Sequence, residues 1–262
     1  MGAPGGRARA RGGGGGWRVE GGGGSLAMAQ LFACEAPEPW RAALRAYGEA
    51  VGGRGGKRTG LPALDRWYQE ELPAAIAGRR EKHLTRDELV RLMAWKLARG
   101  TFRPRLQQLV ATNPSETVER CTRAAFGLLP DVEAAITELS KLKAVGPATA
   151  SAILTAGAPD SVAFMADEAV AAVPGLSPIQ YTLKHYTRYL GEIRARARRL
   201  NQVDAEADWT PHRVEMSLWA WTVAQAECPH LLAPLPSGGT PPAGDTGDRE
   251  ASRTKKRKTS AS

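Results

Sequence analysis

Residues 139–154 read LSKLKAVGPATASAIL and form the most informative stretch of the chain. An apolar stripe of helical spacing runs from Val132 to Leu142 and predicts a helix. Gly146 then marks a tight turn, and Pro147 stands at the first position of a second helix, which suits a residue without an N–H. Free backbone N–H groups at such a helix start, beside a glycine with no side chain, form a phosphate-binding geometry.

These residues resemble the helix-hairpin-helix motif of the DNA glycosylase superfamily, whose pattern is roughly L-x-x-L-P-G-V-G-x-x-T-A-x-x-I-L. The matching positions are Leu139, Leu142, Val145, Gly146, Thr149, Ala150, Ile153 and Leu154. Lys143 replaces the Pro of the pattern, and Ala144 replaces its first Gly. The alternative interpretation is an ordinary pair of helices closed by a Gly-Pro turn.

The resemblance implies a two-lobed, all-helical fold that binds DNA. The hairpin is expected to contact backbone phosphates without reading sequence, and the residues assigned to this contact are Lys143, Val145, Gly146, Ala148 and Thr149. DNA is therefore the expected partner.

Composition separates the chain of 262 residues into a folded middle and two tails. Residues 1–30 hold 12 of the 29 glycines, and residues 236–262 are rich in Pro, Gly, Ser, Thr and charge, so both are predicted to be disordered. Residues 31–235 form the predicted helical domain. Each tail carries a net charge of +3 out of the total of +9, so part of any attraction to nucleic acid would come from the tails.

The second tail contains a compact basic cluster made of Lys255, Lys256, Arg257 and Lys258. Such a cluster is typical of a nuclear localisation signal and predicts contact with the nuclear import machinery and a nuclear location. The alternative is a solvated basic tail. Imaging a tagged chain with all four residues changed to alanine distinguishes the two interpretations.

The middle of the chain predicts helix after helix, so the predicted fold class is all-α. Helices are expected over residues 39–51, 61–77, 178–203 and 210–226, with a flexible loop over residues 52–60. Another helix should begin at the capping box Thr85-Arg86-Asp87-Glu88 and end at Gly100.

Metal, cofactor and membrane partners are not expected. The three cysteines, Cys34, Cys121 and Cys228, are widely spaced and form no C-x-x-C pair, which argues against a zinc site or a disulfide framework. The four clustered cysteines that hold an iron–sulfur cluster in some glycosylases are also missing. The sequence contains no run of 18 apolar residues, so no transmembrane helix is predicted.

The strongest catalytic candidate is Asp167, in the sequence FMADEA at residues 164–169. The glycosylase superfamily places a catalytic Asp about one helix and one loop after the hairpin, and Asp167 follows Gly146 at that spacing. A carboxylate there would stabilise the positive charge that develops on a sugar when it loses its base, or would activate water. The competing interpretation of Asp167 is a helix N-cap.

Two further patterns bear on function. Ala148 stands where bifunctional relatives carry a nucleophilic Lys, so no Lys-dependent strand cleavage is expected from this position. In the segment WKLARGTFRPR, Lys96 and Arg103 lie near Trp95 and Phe102, which suits contact with DNA backbone and stacking on bases. The alternative for that segment is an amphipathic helix with solvated charges.

The leading hypothesis is a nuclear DNA-binding protein that resembles monofunctional DNA glycosylases and excises damaged bases. The rival is a non-catalytic helix-hairpin-helix module that binds DNA or acts as a scaffold. Asp167 facing a cleft beside the hairpin would favour the enzyme. Asp167 bonded only to the N–H groups of its own helix, in a filled cleft, would favour the module.

Overall fold

A computed structural model describes residues 30–56 and 60–232. Within these ranges every regular element is helical and there is no strand, which confirms the predicted all-α class. None of the described helices is both long and apolar enough to cross a membrane. The predicted tails lie outside the described residues except for Gln30, and so does the basic cluster at residues 255–258.

The helices follow one another with short connections. In chain order they are α1 (Pro37–Arg45), α2 (Tyr47–Gly55), α3 (Leu61–Arg66), α4 (Leu72–Ala77), α5 (Arg86–Arg99), α6 (Pro104–Val110), α7 (Ser115–Gly127), α8 (Val132–Leu139), α9 (Pro147–Gly157), α10 (Asp167–Ala171), α11 (Leu183–Val203) and α12 (Pro211–Glu227). A π-helical segment, Trp67–Glu71, joins α3 to α4, and a 3-10 turn, Pro229–Leu231, follows α12.

Two buried helices organise the packing. α9 contacts α4, α5, α7, α8 and α11, and every residue of α9 after Pro147 is buried. α12 contacts α1, α2, α10 and α11. Apolar side chains form one continuous core that includes residues of both α9 and α12, so the fold is one body with two packing centres.

The predicted helix over residues 61–77 is confirmed, but it is widened in the middle. Pro73 lacks an N–H, and its ring would clash with the carbonyl one turn earlier in a regular α-helix. The N–H of Leu72 instead bonds to the carbonyl of Trp67, five residues back, as in a π-helix. The chain therefore continues through the proline without ending the helix.

Capping explains several helix starts. The predicted capping box at Thr85 is present, with reciprocal bonds between Thr85 and Glu88. The predicted start of a helix at residue 178 is wrong, because the Thr182 side chain accepts a bond from the His185 N–H and α11 begins at Leu183. The predicted loop over residues 52–60 is also partly wrong, since α2 continues to Gly55.

A buried ion pair joins α5, beside the first packing centre, to α12. Arg99, at the end of α5, donates to both carboxylate oxygens of Glu215 at 2.8 and 3.2 Å, and both side chains are almost fully buried. Burial opposes the charged form of Arg99, but attraction to Glu215 outweighs it and raises the pKa of Arg99. Rings of Tyr47, Trp95, Phe164 and Trp219 surround the guanidinium at 4.4–5.6 Å from its carbon.

Removing only one member of this pair should be costly. We predict that Glu215→Ala lowers the free energy of unfolding by about 3–5 kcal/mol, because the Arg99 charge stays buried without its partner. The double variant Arg99→Met/Glu215→Leu should recover most of this loss, since no charge is left behind. Urea denaturation of the three proteins measures the difference, and a loss below about 1 kcal/mol for Glu215→Ala would contradict the assignment.

Candidate active-site cleft

A cleft lies between the hairpin, the end of α5 and the start of α10. The volume of the cleft is about 180 Å³, far more than the roughly 10–15 Å³ that a single water molecule needs on the same measure. The lining residues are Lys96, Arg99, Gly100, Thr101, Arg103, Leu106, Ala144, Gly146, Pro147, Ala148, Thr149, Phe164, Met165, Ala166, Asp167, Glu168, Tyr181 and Trp219. The cleft therefore brings together the two segments that sequence reasoning singled out, the hairpin and FMADEA.

A left-handed residue and a side-chain clamp shape the hairpin turn. Ala144 has φ 64°, a conformation that favours glycine, and it occupies the place of the first Gly in the superfamily pattern. The Asn113 side chain accepts a bond from the Lys143 N–H at 2.8 Å and donates to the Lys143 carbonyl at 3.0 Å. Asn113 is itself buried, so the tip of the turn is held from the core side.

Some of the predicted phosphate contacts are available and one is not. The Val145 side chain is buried and its N–H already bonds to the Leu142 carbonyl, so this N–H is not available for the predicted DNA contact. The N–H groups of Gly146, Ala148 and Thr149 donate no hydrogen bond within the described residues, and all three residues line the cleft. The Lys143 side chain is exposed but does not line the cleft.

Three hydroxyl groups fix the segment that leads to Asp167. Tyr186 donates to the Ala163 carbonyl and Tyr189 to the Phe164 carbonyl, both at 3.1 Å. The N–H of Met165 donates to the Ser151 hydroxyl at 2.9 Å. Because these three buried groups bond to the backbone of the extended segment, the chain just before Asp167 is held in place.

Asp167 lines the cleft and does not cap its helix. The N-cap position of α10 belongs to Ala166, and the Asp167 carboxylate makes no capping bond. Instead, the Tyr181 hydroxyl lies 2.8 and 2.9 Å from the two carboxylate oxygens and donates to them. The capping interpretation is therefore wrong, and the carboxylate is free of its own backbone.

The surroundings of Asp167 shift the pKa of its carboxyl group in opposing directions. Burial raises the pKa of Asp167 above its usual range, whereas the hydrogen bond from Tyr181 and the charges of Lys96 and Arg103 favour the ionised form. Burial beside Asp167 also raises the pKa of Tyr181 to about 12, so the phenol remains a donor at neutral pH. Such a carboxylate is closer to the range in which it can exchange a proton near neutral pH.

Lys96 and Arg103, two of the three basic residues predicted to contact DNA, lie at different depths. Lys96 is half-buried inside the cleft, and burial lowers its pKa despite the attraction of Asp167. Arg103 is exposed, and its guanidinium carbon lies 5.3 Å from the ring centroid of Tyr181. Trp95 of the same segment is buried and stacked on Tyr68, so it is unavailable to bases.

A second ionic group lies behind Asp167. Arg54 of α2 pairs with Glu168 and with Glu227, and donates to the Arg99 carbonyl at 2.7 Å. Both Arg54 and Glu168 are mostly buried. Glu168 therefore faces Arg54 and the interior rather than solvent, unlike most first-turn acidic side chains.

Sequence reasoning missed several residues that build the site. Tyr181, Arg54 and Trp219 come from segments far from the motifs, and Arg54 lies in the stretch that was predicted to be a loop. Tyr181 is an aromatic residue near a basic stretch, but nothing in the sequence pairs it with Asp167. No metal-holding group of three or more His, Cys, Asp or Glu residues occurs in the part of the chain that the structure describes.

Comparison with protein-family models, with curated proteins and with solved structures finds no match to this chain. The interpretation of the cleft therefore depends on its own geometry and chemistry.

The Tyr181 hydroxyl should hold the pKa of Asp167 down. We predict that Tyr181→Phe raises the pKa of Asp167, because it removes the donor that stabilises the carboxylate and leaves the burial unchanged. Carbon NMR of the labelled Asp167 carboxyl during a pH titration measures the shift. The matched control is Tyr68→Phe, which removes a hydroxyl bonded to the Ala152 carbonyl, outside the segment before Asp167, and should leave that pKa unaltered. An identical pKa in Tyr181→Phe and wild type would refute the assignment.

Proposed function

We propose that this protein excises bases from DNA as a monofunctional glycosylase, with Asp167 as the catalytic residue. The observation that carries the proposal is the position of the Asp167 carboxylate, which faces a cleft beside the hairpin and is not used as a helix cap. This is the arrangement expected for the enzyme rather than for the module. The resemblance of residues 139–154 to the superfamily motif supplies the class of substrate.

The chemistry needs a negative charge next to the sugar. When the bond between C1′ and the base nitrogen breaks, the bonding electrons leave with the base and positive charge develops on the sugar. The Asp167 carboxylate would stabilise that charge at close range. A water molecule then adds to C1′ and gives a proton to Asp167, which its raised pKa favours. That proton passes through solvent to the departed base, which leaves the base neutral and restores the carboxylate.

The hairpin would hold the strand while this occurs. The N–H groups of Gly146, Ala148 and Thr149 offer donors for a phosphate at the start of α9, a helix of 11 residues. Lys96, Arg103 and Lys143 add positive charge within and beside the cleft. Phosphate contacts of this kind position DNA without reading its sequence.

A specific observation also supports the rival proposal of a non-catalytic module. Both oxygens of the Asp167 carboxylate lie within hydrogen-bond distance of the Tyr181 hydroxyl, so the carboxylate is engaged before any substrate arrives. A module would keep this contact permanently and use the hairpin alone. The proposed nuclear location belongs to either version and depends on the cluster at residues 255–258.

Loss of the Asp167 charge should remove excision and leave DNA binding intact. Asp167→Asn keeps the shape of the side chain but removes the charge used in the transition state, so the excision rate should fall by orders of magnitude. The assay is base release from duplexes that each carry one lesion, with DNA affinity measured in parallel. Asp160→Asn, at an exposed position of the preceding loop, is the matched control and should retain the wild-type rate.

The reaction products distinguish a monofunctional glycosylase from one that also cleaves the strand. Because position 148 is alanine, the product should be an abasic site that needs alkali for strand cleavage, and borohydride should trap no covalent complex. Lys96 supplies an amine in the cleft, so trapping that disappears in Lys96→Gln would name the nucleophile and overturn the monofunctional assignment. Excision at full rate by Asp167→Asn would overturn the role of Asp167. If no lesion is released, the module is the better description.

The hairpin contact can be tested without strain. A Cβ at Gly146 meets nothing within 4 Å, and its φ of −104° suits any residue, so substitutions there should fold. Gly146→Asp should weaken duplex binding by about tenfold, roughly 1.4 kcal/mol, because it places a carboxylate beside the phosphate. Gly146→Asn adds the same bulk without charge and should lose much less. Fluorescence anisotropy at several salt concentrations measures both, and equal affinity of Gly146→Asp and wild type at low salt would exclude the hairpin as the contact.

A further inference from the structure

Two aromatic side chains differ from all the others in the described part of the chain. Every aromatic residue in the described ranges is buried except Phe102 and Tyr181, which are 67% and 41% exposed. Tyr181 lines the cleft, and Phe102 stands in the chain between Thr101 and Arg103, which also line it. Both exposed rings therefore belong to the cleft lining or adjoin it in sequence.

The same place is positively charged. The segment at residues 101–105, TFRPR, is exposed throughout and contains two arginines and no acidic residue. Arg103 lies against the Tyr181 ring, at 5.3 Å from its centroid. We refer to residues 101–105 together with Tyr181 as the rim. A partner that complements the rim carries negative charge and flat rings, and nucleic acid has both.

A regular duplex does not offer those rings. Each base in a paired stack has both faces covered by its neighbours, and only a base that has left the stack presents a free face. Exposed aromatic side chains flanked by arginines are the device that binds such bases without regard to sequence. The rim therefore matches unpaired nucleotides better than it matches paired ones.

We propose that the rim is a stacking platform that selects DNA containing an unpaired or bulged nucleotide, with Phe102 as the principal stacking residue. This inference rests on the proposed function, because it concerns DNA at the same cleft, and it names the class of substrate. The Tyr181 hydroxyl bonds to Asp167, so a nucleotide held on the rim lies beside the proposed catalytic carboxylate. Selection at the rim thus precedes chemistry at Asp167.

The experiment compares three labelled oligonucleotides of equal length: a perfect duplex, the same duplex with one bulged nucleotide, and the single strand. The full-length wild-type protein should bind the bulged duplex more tightly than the perfect one. Phe102→Leu keeps an apolar side chain but removes the ring, and it should weaken binding to the bulged duplex by about tenfold, roughly 1.4 kcal/mol. Its affinity for the perfect duplex should stay within about twofold of wild type, because the hairpin is untouched.

A spectroscopic measurement identifies stacking directly. 2-Aminopurine placed at the bulge should be quenched by wild-type protein and much less by Phe102→Leu. Val203→Ala is the matched control, since Val203 is 60% exposed and does not line the cleft, and it should behave as wild type in both assays. Thermal denaturation of each variant establishes that the fold is retained.

The outcomes of these experiments separate a failure of the rim proposal from a failure of the proposed function. If wild type binds the duplexes and Gly146→Asp weakens this binding, but Phe102→Leu shows the wild-type ratio of bulged to perfect binding, then the rim proposal is wrong and the proposed function is not contradicted. If wild type binds none of the three oligonucleotides at low salt, both proposals are wrong, and the rim is better explained as a docking surface for a protein partner.

Discussion

The buried pair between Arg99 and Glu215 constrains how the end of α5 lies against α12. Glu215 lies in the second turn of α12, which is the second packing centre. The Arg99 carbonyl accepts a hydrogen bond from Arg54, and Arg54 also pairs with Glu168 next to Asp167. A buried charge needs its partner in place, so the pair favours one arrangement of α5 against α12. Because Arg99 and Trp219 of these helices line the cleft, this arrangement sets part of the cleft wall.

The proposed reaction also depends on rigidity. A carboxylate that stabilises developing charge is effective when it needs no reorganisation at the moment of reaction. The hydroxyls of Ser151, Tyr186 and Tyr189 hold the segment before Asp167, and all three side chains are buried. Three buried hydroxyl groups thus place this segment. The Tyr181 contact is different, because that ring is exposed and lies in an irregular segment.

Local signals predicted the helices well and the site only in part. The capping box at Thr85, the start of α9 at Pro147 and the start of α10 at Asp167 depend on neighbours in sequence, and each is confirmed. The errors arise where distant groups decide. Arg54 lies among glycines that predict a loop, yet three partners from other helices extend α2 around it. In the same way, a contact between Tyr181 and Asp167 has no signature in either segment. The two-lobed glycosylase-like arrangement, the DNA partner and the nuclear location stay predictions.

The Asn113 side chain holds the tip of the hairpin through backbone groups alone. The side-chain oxygen accepts a bond from the Lys143 N–H, and the amide nitrogen donates to the carbonyls of Lys143 and Val110. All three partners are backbone groups, so the turn does not depend on the side chain at residue 143, whereas it does depend on the amide of Asn113. Substitution at position 143 can therefore alter the local charge without refolding the turn. The residue that shapes the turn and the residue that sets its surface charge are thus different positions of the chain.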